Sequence, residues 1–163
     1  MRVIMRISNR RSALALCLGA LLSLAGCNGD AGPSGPVDPT ELIFANVLGV
    51  NLAAMTKTPS GLYLQDQVVG TGAQATAGSS VTVDYTGWLH NGSQFDSGTY
   101  TVTPLGNAQV IAGWNEGLIG MRVGGRRLLV IPSNLGYGAA GAGNGIIPPY
   151  ATLVFRVELK TVQ

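Results

Sequence analysis

Between two runs of alternating, extended-type sequence lies the stretch Val110-Ile-Ala-Gly-Trp-Asn-Glu-Gly-Leu-Ile-Gly-Met121. Ile111, Trp114, Leu118 and Met121 recur at spacings of three and four, which is one face of a short helix. Glycines at 106, 113, 117 and 120 cut that helix short or let a neighbour lie close against it. A single short helix among strands must cover one face of a sheet. Its tryptophan is then the natural floor of a cleft formed there.

The flanking segments supply the strands. Gly61 to Val69 reads as extended, with Leu62, Leu64 and Val68 as buried positions. Ser80 to Leu89 alternates, with Val81, Val83 and Tyr85 on one face and Thr82, Asp84 and Thr86 on the other. His90-Asn-Gly92 is a tight turn in which Asn-Gly supplies positive φ. Ser93 to Asp96 resumes the run, Ser97-Gly-Thr99 reads as a bend, and Tyr100 to Leu105 follows. Arg126 to Ile131 is a strand ended by Pro132, and Ala151 to Leu159 closes the chain with Leu153, Phe155, Val157 and Leu159 on one face. Ser133 to Tyr150 is a long glycine-rich loop, of the kind usually functional in compact domains. The order of elements predicts an α+β domain over 57–163, a curved antiparallel sheet with one short helix.

The 163 residues suffice for one modest core. The formal charge of +2 arises from Arg2, Arg6, Arg10 and Arg11; after Cys27, six basic residues face eight acidic ones. No basic face results, so nucleic acid is not an expected partner. Arg122, Arg126 and Arg127 read as a solvated turn and strand edge. The arginines precede an apolar run, Ser12 to Leu24, of signal-peptide length. Leu24-Ala-Gly-Cys27 then resembles the bacterial lipobox, which implies a signal peptide over 1–26 and a lipid anchor on Cys27. Asn28 in place of Asp after the cysteine implies the outer membrane, with the domain facing the periplasm. Residues 27–56 form a tether and leader. Asn28 to Thr40 has no capacity to form a core, while Glu41 to Met55 reads as either a small interaction element or a disordered leader.

Familiar reactive groupings are missing. His90 is the only histidine and sits in a turn, and no cysteine follows Cys27, so neither a metal site nor a cofactor is expected. The glycine run 136–145 precedes no helix and is a weak dinucleotide signal. What remains is aromatic. Tyr85, Phe95, Trp114, Tyr137 and Phe155, with Val110, Ile111 and Ile147, either line one apolar cleft or are simply core.

Val83-Asp-Tyr-Thr-Gly-Trp-Leu-His-Asn-Gly-Ser-Gln-Phe-Asp-Ser97 resembles the FK506-binding-protein (FKBP) family of peptidyl-prolyl cis-trans isomerases. So do, in order, Leu105-Gly, Gln109 to Leu118, Met121 to Gly125, Ile131-Pro, Leu135-Gly-Tyr-Gly138 and Gly145 to Phe155. The likeness runs from about Ser60 to Leu159. It implies a five- or six-stranded antiparallel sheet curled around the helix. It also implies a pocket of Tyr85, Phe95, Asp96, Val110, Ile111, Trp114, Tyr137, Ile147 and Phe155. In that pocket Trp114 would lie beneath a proline ring, Tyr85, Phe95 and Phe155 would be walls, and the Ile111 N–H and Tyr137 hydroxyl would meet peptide carbonyls. Asp96 would be a polar wall group. The partners implied are proline-containing peptides, unfolded envelope proteins and macrolides such as FK506 and rapamycin. A chaperone or surface binding module with little turnover is the rival reading. Thr101 and Thr103 stand where the family commonly has two aromatic residues, which predicts that one wall of the pocket is open.

Overall fold

The structure is a computed structural model, and residues 35–163 are described; the signal-type segment and Cys27 lie outside the described residues. Six strands form one antiparallel sheet: β1 (Thr56–Lys57), β2 (Tyr63–Val68), β3 (Val81–Leu89), β4 (Gln94–Val102), β5 (Arg126–Ile131) and β6 (Leu153–Val162). Their spatial order is β1-β2-β5-β6-β3-β4, so β4 is an edge. A single α-helix among the described residues, α1, spans Ala112–Gly117. The expected α+β architecture is present, with six strands.

Period-two alternation builds the inner core. Val81 and Val83 of β3, Leu129 and Ile131 of β5, and Leu153, Phe155, Val157 and Leu159 of β6 join Leu62, Trp114, Leu118 and Met121 in one cluster. The helix lies close on this face because two of its residues lack side chains. A Cβ on Gly113 would stand 2.5 Å from Ile131 Cγ2, and one on Gly117 2.9 Å from Leu129 Cδ2.

The outer face is also covered. Leu128, Val130 and Val154 point there and are fully buried, together with Tyr63. Their cover is the segment upstream of β1: Leu48 and Met55 are buried against them, with Phe44, Val50 and Leu52 packed around. This segment holds two short 3₁₀ turns, Asn46–Leu48 and Leu52–Ala54, and the Ala45 N–H donates to His90 O at 2.9 Å. Residues 44–55 thus dock on their own domain, and the packed unit begins upstream of Lys57. The physical cause is the unbroken apolar run Leu128 to Ile131, which gives β5 two faces that need burial.

Three further expectations are corrected. Val68 is exposed, because the register of β2 on β5 shifts between Asp66 and Val68 and turns it out. Ser97-Gly-Thr99 is no bend but the middle of β4, paired residue by residue with β3. Arg127 is not solvated: it is 6% exposed and lies on the inner face with Leu129. Its guanidinium grips Asp66 through Nε (2.7 Å) and Nη2 (3.0 Å). Nη1 donates to the carbonyls of Gly117 (2.8 Å) and Ile119 (3.0 Å). A strand arginine therefore caps the end of α1, where unpaired carbonyls favour a cation.

Candidate active site

At the start of α1 the sheet opens into a cleft of about 230 Å³, lined by Tyr85, Phe95, Asp96, Tyr100, Gln109, Val110, Ile111, Trp114, Tyr137 and Phe155. Eight of the nine residues expected from the sequence meet here. The ninth, Ile147, does not line the cleft. Its backbone pairs with Ala142 in both directions (2.9 and 3.0 Å), closing the glycine-rich loop, and its side chain is buried in the inner core.

Each wall has a local cause. Tyr85 faces inward by the alternation of β3. Phe95 and Asp96 are successive residues, and a regular strand would send them to opposite faces. The β3–β4 register shifts at this point: Gly87 pairs with Asp96 and Trp88 with Gln94, leaving Phe95 as an extra residue. The bulge brings both side chains to the cleft. Gly87 makes the room they need, since a Cβ there would stand 2.6 Å from Phe155 Cε1 and 2.7 Å from Phe95 Cζ.

The rings pack edge to face. Trp114 is 5.0 Å from Tyr85 at 78° and 5.3 Å from Phe155 at 79°, while Phe95 meets Phe155 at 5.4 Å and 85°. Such pairs contribute roughly 0.5–1.5 kcal/mol each beyond burial, so the walls hold their shape. Trp114 is 5% exposed and forms the floor.

The polar groups around Asp96 are fixed. The Tyr85 hydroxyl donates to Asp96 Oδ2 (2.8 Å), and the Ser97 N–H donates to Asp96 Oδ1 (2.8 Å). Both oxygens of the only ionisable carboxyl in the lining are thereby engaged. Burial, then the bond to Asp96, pushes the Tyr85 phenol up to about 12. Burial and the Asp96 charge also push up the Tyr137 phenol. Among the described residues the backbone N–H of Ile111 and the hydroxyl of Tyr137 have no protein acceptor, and the buried indole N–H of Trp114 has none either.

Asn115 sets the rim. Its Oδ1 accepts from the N–H groups of Gly106 and Ala108 (both 3.1 Å), and its Nδ2 donates to Ala108 O (2.9 Å). These bonds fasten the loop that delivers Val110 and Ile111 to the helix start. The wall expected to be open at Thr101 and Thr103 is occupied by Tyr100, whose ring stands 6.3 Å from Trp114 at 71°. Because β4 is unbroken, Tyr100 faces inward and Thr101 outward, where it bonds to Thr82 (3.0 Å). The sequence reading passed over Tyr100, Gln109 and Asn115. Only the continuity of β4 could have revealed the first.

Fold and cleft together define a class of protein: a curled antiparallel sheet that presents an aromatic cleft, sized for one residue, at the start of α1. The model of the family described as FKBP-type peptidyl-prolyl cis-trans isomerase matches residues 72–160. An FK506-binding protein of Neisseria meningitidis serogroup B is 54% identical over 106 residues, covering 63% of this chain and 96% of that protein. Among solved structures, FkpA from Escherichia coli matches with TM-score 0.60 and 38% identity, over 67% of this chain and 51% of FkpA. A peptidyl-prolyl isomerase of Pseudomonas syringae pv. tomato matches with TM-score 0.62 and 33% identity, over 72% and 90% of the respective chains. The chain belongs to the FKBP family and is a peptidyl-prolyl cis-trans isomerase.

Proposed function

We propose that the cleft over Trp114 is where X–Pro bonds are rotated, with unfolded envelope proteins as substrates. The observation that carries this is the pairing of an aromatic cleft with unengaged donors at its rim, among them the Ile111 N–H and the Tyr137 hydroxyl. The cleft is smaller than the roughly 300–1,000 Å³ of sites for drug-sized ligands, and suits a proline ring.

The barrier to rotation, roughly 18–20 kcal/mol, is the loss of amide resonance. At the twisted transition state the C–N bond is single-like and charge separation across the amide is reduced. An apolar cleft therefore disfavours the planar ground state relative to the twisted one. Trp114, Phe155 and Phe95 enclose the proline ring. The Ile111 N–H holds one flanking carbonyl and fixes one side of the rotating bond, while Tyr137 meets the carbonyl near the proline. Asp96 anchors Tyr85 and takes no proton. Nothing in this scheme breaks or forms a covalent bond.

Support for an envelope location is the resemblance of Leu24-Ala-Gly-Cys27 to a lipobox. On this reading Cys27 carries acyl chains, and two or more of them anchor the domain stably to the outer membrane, on its periplasmic side. Macrolides of the FK506 and rapamycin type would compete for the same cleft. A protease-coupled assay on an Ala-Leu-Pro-Phe peptide tests the site: Trp114→Ala and Tyr137→Phe lower kcat/KM, and unchanged rates in both would remove the cleft from the reaction. Mass spectrometry of the mature amino terminus tests the anchor; an unmodified Cys27 would refute it.

A further inference from the structure

The leader holds the turn between β3 and β4 from outside. The Ala45 N–H donates to His90 O at 2.9 Å. At Gly92 the two segments touch: a Cβ built there would stand 3.0 Å from Ala45 Cβ and 3.4 Å from Val47 Cγ1. The turn is closed by the Leu89 N–H on Ser93 O (2.9 Å) and the Gly92 N–H on Leu89 O (3.0 Å). Trp88 joins the outer cluster that also takes Phe44, Leu48 and Val50. The same Trp88 borders the bulge, since it pairs with Gln94 while Gly87 pairs with Asp96. Leader, turn and bulge are therefore linked by consecutive short contacts, and the bulge is what brings Phe95 and Asp96 to the cleft.

We infer, taking the cleft as the proline site, that the leader is a positioning element of isomerisation: Ala45 and Leu48 hold the β3–β4 turn and so fix Phe95 and Asp96 in the cleft wall. No residue of 44–55 lines the cleft, so the effect passes through the turn. The wall needs this support because β4 is an edge strand, paired with β3 alone, and the bulge interrupts that one ladder beside Phe95. A segment with few backbone partners opens locally at low cost. Wall residues that wander by about 1 Å lower catalysis by up to about 100-fold. Residues 44–55 lie upstream of 72–160, the stretch that matches the family model, so the support comes from this chain's own extension.

The test uses full-chain variants. Cis-trans exchange of an Ala-Leu-Pro-Phe peptide is followed by NMR without protease, because an undocked leader would be cut at Phe44. Ala45→Pro suits a backbone already at φ −60°, but it removes the N–H and sets a ring carbon against His90 O. Leu48→Asp places a carboxylate among Leu128, Val130 and Val154 and expels the leader. Each lowers the exchange rate per protein by about tenfold. Each also speeds amide hydrogen exchange at Leu89 and Ser97, whose N–H groups close the turn and hold Asp96, while Leu129 and Val157 keep their protection. Ala45→Gly keeps the donor and the rate. Val81→Ala, which thins the core at the far end of β3, lowers the melting temperature and not the rate. Unchanged rates in Ala45→Pro and Leu48→Asp overturn the inference, as does an equal loss in Ala45→Gly or Val81→Ala. If Leu48→Asp does not fold, Ala45→Pro decides alone. A misplaced proline site shows separately: Trp114→Ala then leaves isomerisation intact, while the leader variants still speed exchange at Leu89 and Ser97.

Discussion

Gly87→Ala adds one methyl group where three strands and two rings converge. Gly87 pairs with Asp96 of β4 on one side and with Phe155 of β6 on the other, so its backbone cannot retreat. The new Cβ would stand 2.6 Å from Phe155 Cε1, and 2.7 and 2.8 Å from Phe95 Cζ and Cε2. Carbon atoms sit at about 3.5–4.0 Å, so both rings must move by roughly 1 Å. Overpacking of this kind costs about 1–3 kcal/mol. The displaced rings are cleft walls, and a misplacement of this size lowers catalysis by up to about 100-fold. Urea denaturation should show the stability loss as a lower midpoint with an unchanged slope. The protease-coupled assay should show kcat/KM falling by well over tenfold. Adding Phe95→Leu removes two of the three clashes and should recover part of the stability. Unaltered activity and stability in Gly87→Ala would refute the argument that this glycine sets the wall positions.

Three further outcomes follow from the geometry. Arg127→Met leaves the Asp66 carboxylate and the Gly117 and Ile119 carbonyls without their cation. Because Asp66 is partly hydrated, the cost should fall near the low end of the range for a broken buried pair, about 3 kcal/mol; a loss under about 1 kcal/mol by denaturant titration would contradict the capping role. Tyr85 ionises near 10 when unfolded and near 12 when folded. The unfolded chain thus loses this proton first as pH rises, and stability intact below pH 10 declines between about 10 and 12. Melting temperatures should fall across that window, less steeply in Tyr85→Phe, and parallel declines would refute the assignment. Finally, rotation without proton transfer predicts the same kcat/KM in heavy and ordinary water, whereas a severalfold slowing would require an acid or base in the step.

Much of this could be read in advance. Trp114, Leu118 and Met121 are buried on one side as their spacing predicts, although α1 itself spans only Ala112–Gly117, with Ile111 and Leu118 as its caps. The inward residues of β3 and β6 follow from period two alone. What resisted reading was irregular or long-range. Phe95 and Asp96 share the cleft because of a bulge, which alternation cannot announce. Tyr100 was hidden because Ser97-Gly-Thr has turn composition, yet pairing with β3 keeps it extended. Ile147 looked like a pocket residue until its pairing with Ala142 turned it into the core. The docking of residues 44–55 depends on the outer face of β5 and β6, which lie far along the chain.

The proposed catalysis stands on one contact, a proline ring on the Trp114 indole. It is tested most directly by NMR on the protein with a short proline peptide, reading cis-trans exchange and intermolecular contacts in one sample. The proposed contact predicts accelerated exchange, with contacts from the proline ring protons to Trp114, Phe155 and Tyr85. Accelerated exchange with those protons in contact only with residues outside the cleft would contradict it.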